Sequence, residues 1–320
     1  MSEPSSTTNF VAAQQANRRK TTILLVVLTV LAAGFGYLIG WVLQSEVTDE
    51  VPLVSQAGLV LAIGLAAVSV VWSLISLAFG SRLVVAMAEA KEIAKDDAPQ
   101  LFNVEMSIAS GMPMPTVRVM ETDALNAFAT GTSTSDGTIA VTRGLLNALN
   151  RDELQGVIAH EMSHIANLDT RYMTIVGVTV GLIALIADMI LRTRRWGGTS
   201  RSSSSSSGKK SSGAGFLIIV LIVVAIIAPI AAKAVQMAVS RQREYLADAT
   251  SVQFTRNPDG LISALQKLAA AAAPFPGVSR ATQHLFIVNP IKTFTAKSSA
   301  LLATHPDVAD RIARLRNLGA

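Results

Sequence analysis

The chain contains no cysteine. Disulfides and thiolate metal sites are therefore excluded, and any metal has to be held by histidine and carboxylate. Charge is scarce as well: 15% of the 320 residues are Asp, Glu, Lys or Arg, against 50% hydrophobic. With a mean hydropathy of +0.45 the chain is too apolar for an ordinary soluble domain. The net charge of +5 requires no nucleic-acid partner. Much of the excess sits in Arg18-Arg19-Lys20 and between Arg192 and Lys210, beside apolar segments, where basic residues mark membrane topology. Histidine is rare, with four in the chain.

What the chain does have is long apolar runs. Thr21 to Leu43 carries no charge and is long enough to cross a bilayer; Ala57 to Phe79 is a second such run. A third, Tyr172 to Leu191, is broken by Asp188, and a fourth runs from Ala214 to Ala232. The first run exceeds a signal-peptide core and no small-x-small cleavage site follows, so it reads as an uncleaved anchor. Arg18, Arg19 and Lys20 precede it, whereas the next loop holds Glu46, Asp49 and Glu50 without Lys or Arg. The positive-inside rule then places the N-terminus and the segment after the second run in the cytoplasm. The third and fourth runs pose a difficulty, because Arg192, Arg194, Arg195, Arg201, Lys209 and Lys210 lie in the loop that two crossings would put outside. Either both cross or they form a hairpin that does not, and in both cases the chain returns to its starting side. Residues 197–213, with six consecutive serines, read as a flexible linker, and residues 1–20 as a disordered cytoplasmic tail.

Two of the histidines lie in His160-Glu161-Met162-Ser163-His164. On a helix, imidazoles four residues apart share a face and can hold one metal ion, and the adjacent Glu161 can act there as general base. This is the H-E-x-x-H arrangement of zinc peptidases. Asn150 followed by Glu153 supplies a capping-box start for its helix, whose stripe of Leu154, Val157, Ile158, Met162 and Ile165 faces a core. Flanking charges make that helix amphipathic. Upstream the pattern is mixed: Leu83 to Met106 reads as helix and Thr116 to Met120 as a strand. Asn126 to Gly131 and Thr138 to Val141 read as two more strands around a turn at Ser135-Asp136-Gly137.

A catalytic zinc takes three protein ligands and keeps one position open. Positions 167 and 170 are Asn and Thr, so a third histidine shortly after His164 is ruled out and a distant carboxylate is needed. Glu244 and Asp248 stand one turn apart in Ser240 to Asp248; one can bind metal while the other receives the N–H of a ligand histidine. The competing structural reading pairs Glu244 with Arg241 and leaves Asp248 solvated.

Three pieces together, Asn126 to Gly131, His160 to His164 and Arg243 to Asp248, resemble the HtpX-type membrane zinc metalloproteases, glutamate-zincins related to the CAAX prenyl proteases. The resemblance runs from Thr21 to the C-terminus and includes a closing Thr304-His305-Pro306; the family's usual second proline is replaced by Asp307. It implies that His160, His164 and Glu244 ligate one Zn2+, that Glu161 is the base, and that Asp248 orients a ligand histidine. Asn126, Ala127, Phe128 and Ala129 would pair with an extended substrate backbone, an economical way to accept many sequences. His305 is either an oxyanion donor or a structural residue, and Arg243 either binds substrate carboxylate or braces its helix. His284 has no motif around it. The expected fold is a membrane-anchored α+β zincin-like protease, mostly helical, with a small mixed β-sheet and four apolar helices. Its parts are an anchor (21–79), two catalytic segments (80–171 and 233–320) and an apolar hairpin (172–232) between them. The resemblance further implies a multi-pass protein of the bacterial inner membrane, facing the cytoplasm and removing misfolded or damaged membrane proteins in stress and quality control.

Two other readings compete. Asn257-Pro258-Asp259-Gly260 resembles the aspartate-ligand motif of intramembrane site-2-type proteases. A transporter or membrane scaffold with an incidental motif would show polar residues in its spans or inverted repeats, of which only Asp188 is present.

Overall fold

The computed structural model describes residues 10–48, 53–108, 113–179, 241–271 and 306–318. These fall into two units, one built from the chain up to Thr21, Leu77–Gly181 and Val235 onward, the other from Thr22–Ser76 and Leu182–Ala234. The expected Ser/Gly linker, the fourth apolar run, His284 and His305 lie outside the described residues.

The second unit takes most of helices α1 (Phe10–Thr48) and α2 (Gln56–Met87), which run alongside each other there; the start of α1 and the end of α2 belong to the first unit. Both helices are long and apolar enough to cross a membrane. Their close approach uses Gly36 and Gly40, a G-x-x-x-G pair: a Cβ on Gly36 would collide with the Leu61 carbonyl, and one on Gly40 with that of Ala57. Outward they expose Val26, Val30, Val60, Ile63, Val68 and Leu74, as helices facing lipid do. The helix extends further back than expected. Residues 10–20, assigned above to a disordered tail, are the first turns of α1.

The first unit carries a four-stranded sheet of order β1-β2-β4-β3, from Lys91–Glu92, Thr116–Met120, Thr138–Thr142 and Ala127–Thr130 respectively. β2 and β4 pair in parallel and the other two ladders are antiparallel, so the sheet is mixed as expected. The alternating Val117 and Val119 lie opposite Ile139 and Val141 and are buried with them. The β3–β4 loop is held by Asp136, whose carboxylate accepts the Thr132 N–H at 2.9 Å and the Thr132 hydroxyl at 2.9 Å. β4 runs directly into α4 (Arg143–Ala148), with Thr142 as N-cap, and Asn150 then caps α5 (Arg151–Ala166) with Glu153 completing the box.

Two expectations need correction here. Leu83 to Met106 is not one helix: Glu89 turns at φ +51°, β1 follows, and Pro99 opens α3 (Pro99–Ile108). Nor is α5 amphipathic along its length, since every residue from Gly156 to Ala166 is buried. The sheet, α3, α7 (Arg241–Thr255) and α8 (Pro258–Ala270) pack around it. Its crossing with α8 is very close. A Cβ on Gly156 would lie 2.6 Å from the Leu261 amide nitrogen, and one on Gly260 would lie 2.5 Å from the Asp152 carbonyl. The third apolar run also starts inside this unit. Residues 169–179 continue as helix α6, in which Tyr172, Met173, Ile175, Val176 and Val178 are buried. The boundary expected at residue 172 therefore lies further along. Helix α9 (Val308–Leu318) packs on α7 and α8.

Candidate metal centre

α5 presents His160 and His164 on one face, and α7 brings Glu244 to them. One ligand atom from each of the three lies within 4.8 Å of the others, and all three side chains are buried. The two Nε2 atoms are 3.3 Å apart, and each lies 3.7 Å from an oxygen of Glu244. Ligands at ~2.0–2.1 Å from a tetrahedral zinc stand about 3.3 Å from one another, so the donor set has the size and the His2Glu chemistry of a catalytic zinc site.

Each imidazole is backed by a carboxylate on its Nδ1, which leaves Nε2 for the metal. Asp248, one turn after Glu244 on α7, lies 3.0 Å from His160 Nδ1. Asp169, at the start of α6, lies 3.1 Å from His164 Nδ1. Such pairs fix the ring orientation and tautomer of a ligating histidine. The rival pairing of Glu244 with Arg241, with Asp248 in solvent, is not what the fold builds: Glu244 and Asp248 are both buried.

Sequence reasoning missed Arg311. This fully buried residue of α9 forms a two-point pair with Asp248, Nε to Oδ2 at 2.9 Å and a terminal nitrogen to Oδ1 at 2.6 Å. Its other terminal nitrogen stands 3.8 Å from Glu244. The charges order themselves accordingly. Burial would raise Asp248, but Arg311 and His160 overcome it and hold the acid at about 2. Burial and Arg311 both lower His160, yet hydrogen bonding to Asp248 and Glu244 prevails and raises it to about 9. Arg311 itself is raised by Asp248, Glu244 and Glu161 against its own burial. Glu161 is buried beside His160, 2% exposed.

The other expected residues are placed as follows. Asn126 immediately precedes β3 and Ala127 to Ala129 form its first residues; β3 is the last strand in the sheet order, and the Asn126 N–H is held by Thr142. Arg243 faces inward, with Nε 3.9 Å from Asp169 and its guanidinium over the Tyr172 ring. Asn257 is the N-cap of α8 and Asp259 is exposed, so the site-2-type motif is a helix start and contributes nothing to this cluster. His305 is outside the described residues. No local pattern marked Asp169 or Arg311; the only signal for Asp169 was its place just beyond the H-E-x-x-H helix.

The model of peptidase family M48 matches residues 100–319. A protease HtpX homolog of Listeria innocua is 48% identical over 267 residues, covering 82% of this chain and 86% of the relative. One from Streptococcus uberis is 41% identical over 295 residues, covering 91% and 93%. Among solved structures, that of S. mikatae Ste24p aligns at a TM-score of 0.43 and 16% identity, over 95% of this chain and 66% of that one. A buried His-His-Glu cluster, two membrane-length helices and relatives matched over most of their length lead to one conclusion: the chain belongs to peptidase family M48, as a membrane metalloendopeptidase of the HtpX type.

Proposed function

We propose that the protein is a zinc endopeptidase that cleaves misfolded or damaged membrane proteins at the cytoplasmic face of the bacterial inner membrane. The observation that carries the zinc assignment is the His160–His164–Glu244 cluster with a carboxylate behind each imidazole. When bound, zinc acidifies water and polarises the scissile carbonyl. Glu161 takes the proton from the attacking water and passes it to the leaving amine. Asp248 and Asp169 keep the two imidazoles in the ligating tautomer, and Arg311 keeps Asp248 ionised. His305 is the candidate donor to the developing oxyanion.

Substrate enters as an extended strand along Asn126 to Ala129. β3 lies at the end of the sheet order, the position from which main-chain pairing recruits a peptide. Its far end is tied to α6, where the Thr130 and Thr174 hydroxyls lie 2.8 Å apart. The cytoplasmic orientation rests on Arg18-Arg19-Lys20 ahead of α1 and the acidic loop after it. The fold is read as zincin-like with four apolar helices, two of them from the runs after His164.

The test is zinc quantification alongside cleavage of an unfolded protein, with and without chelator, in wild type and Glu161→Gln. Wild type is expected to hold one zinc and to lose cleavage on chelation. Cleavage that survives complete zinc removal would overturn the proposal.

A further inference from the structure

Helix α1 reaches the metal centre before it becomes an anchor. Asn17, just ahead of the first apolar run, is buried at 3% exposure, and it contacts residues 150 and 152 positions away in sequence. Its Nδ2 donates to Asp169 Oδ1 at 2.7 Å and to the Asn167 carbonyl at 3.0 Å. Asp169, 1% exposed, turns its other oxygen, Oδ2, to His164 Nδ1 at 3.1 Å. One side chain of the amino-terminal helix is thus a single residue removed from a metal ligand.

Docking alone does not call for this contact. Gln14, one turn earlier, already fastens the same helix to the Ala166 carbonyl at 2.7 Å without touching Asp169. A buried amide is expensive unless its hydrogen bonds are made, and an apolar residue would dock a helix more cheaply. The particular service of Asn17 is to occupy Oδ1. The competitor for that oxygen is Arg243, whose Nε stands 3.9 Å away; a carboxylate drawn towards it would swing from His164.

We propose that Asn17 is a positioning residue of the metal centre: its amide fixes the Asp169 carboxylate so that Oδ2 faces His164 Nδ1, and so sets the orientation of that imidazole. The proposal rests on the zinc-ligand reading of His160, His164 and Glu244. It makes the amino-terminal helix part of the site.

The test uses the full-length protein in detergent, with its zinc dissociation constant measured by chelator competition and its folding followed by circular dichroism. Asp169→Asn is expected to weaken zinc by about 10- to 100-fold and Asn17→Ala by about tenfold, the range typical of residues that orient ligands. The double variant should be no weaker than Asp169→Asn alone, because Asn17 acts through Asp169. Gln14→Ala should match wild type. Wild-type affinity in Asn17→Ala, or losses that simply add in the double variant, would overturn the proposal.

A second pair keeps the test decisive if Asn17→Ala fails to fold. Asn17→Asp sets two carboxylates face to face and should bind zinc more weakly than wild type. Adding Asp169→Asn to it restores a hydrogen-bonding pair and should improve binding, although the same change harms the wild-type chain. A further loss in that background sinks the proposal. Absence of zinc binding in wild type, or unchanged binding in Glu244→Ala, would instead sink the ligand assignment.

Discussion

At the scale of single residues the site divides into groups that hold the metal and groups that act on substrate, and substitutions should separate them. Glu161→Gln keeps the shape of the side chain and leaves the three proposed ligands in place, so zinc content should stay near one per chain while cleavage falls by at least 10²-fold, the contribution of a general base. Glu244→Ala removes a ligand, and zinc should be lost along with activity. Measuring metal content and turnover on the same preparations distinguishes the two; parallel loss of both in Glu161→Gln would give that residue a structural role. The histidine pair and the neighbouring Glu161 were legible as candidates in the sequence because their geometry is local: one helix turn sets the spacing of His160 and His164. Spacing alone marked Glu244 and Asp248 only as a pair, with the resemblance dividing their roles; in the structure a Glu244 oxygen lies 3.7 Å from His160 Nε2 and an Asp248 oxygen 3.0 Å from its Nδ1. Asn17, Asp169 and Arg311 were not legible. Their contacts span as much as 152 residues, and no periodicity encodes which buried polar groups will meet.

At the scale of elements, what places the site is the packing of α5. The sequence signals for it were sound at its start, where the Asn150–Glu153 box forms as expected. They misled along its length, because Arg151 and Asp152 are exposed only in its first turn and Asp169 and Arg171 lie beyond its end, so no solvated face runs along it. The Gly156–Leu261 approach predicts that Gly156→Ala forces α5 and α8 apart and costs about 1–3 kcal/mol, whereas Gly64→Ala, whose Cβ meets open space on α2, leaves stability unchanged or improved. Thermal unfolding in detergent reads both, and equal effects would refute the packing argument. The same interface supplies a pH dependence. Glu153 accepts hydrogen bonds from Ser263 at 2.6 Å, Lys267 at 2.7 Å and the Asn150 N–H at 2.8 Å. Burial would raise this acid, but those partners lower it below its usual value of 4.5. A depressed acid contributes stability above its unfolded value and loses it as the pH falls through the folded one. Glu153→Gln should therefore be less stable at neutral pH by about 1–2 kcal/mol, discounted for the half-exposed Lys267. Its deficit should shrink below about pH 4; a deficit independent of pH would show that the charge contributes nothing.

At the scale of the whole molecule the metal centre constrains topology. His164 and Glu244 lie on opposite sides of residues 180–240 in sequence yet share one cluster, so the described segments on either side of that stretch belong to one side of the membrane. The contact of the Asp152 carbonyl with Gly260 says the same of α5 and α8. Absence of cysteine makes the consequence directly measurable, since each introduced thiol is the only one in the chain. Asp152→Cys and Asp259→Cys are both exposed positions and should react with a membrane-impermeant maleimide only after the cells are opened. Leu53→Cys, fully exposed between α1 and α2, should react in intact cells if α1 crosses in the proposed orientation, with the basic cluster inside and that loop outside. Ser204→Cys reports on the apolar runs themselves: reaction in intact cells means two crossings, and protection means none. The pair at 152 and 259 has no such freedom. Opposite labelling of those two thiols would place His164 and Glu244 on different sides of the membrane, and no single metal ion could then join them.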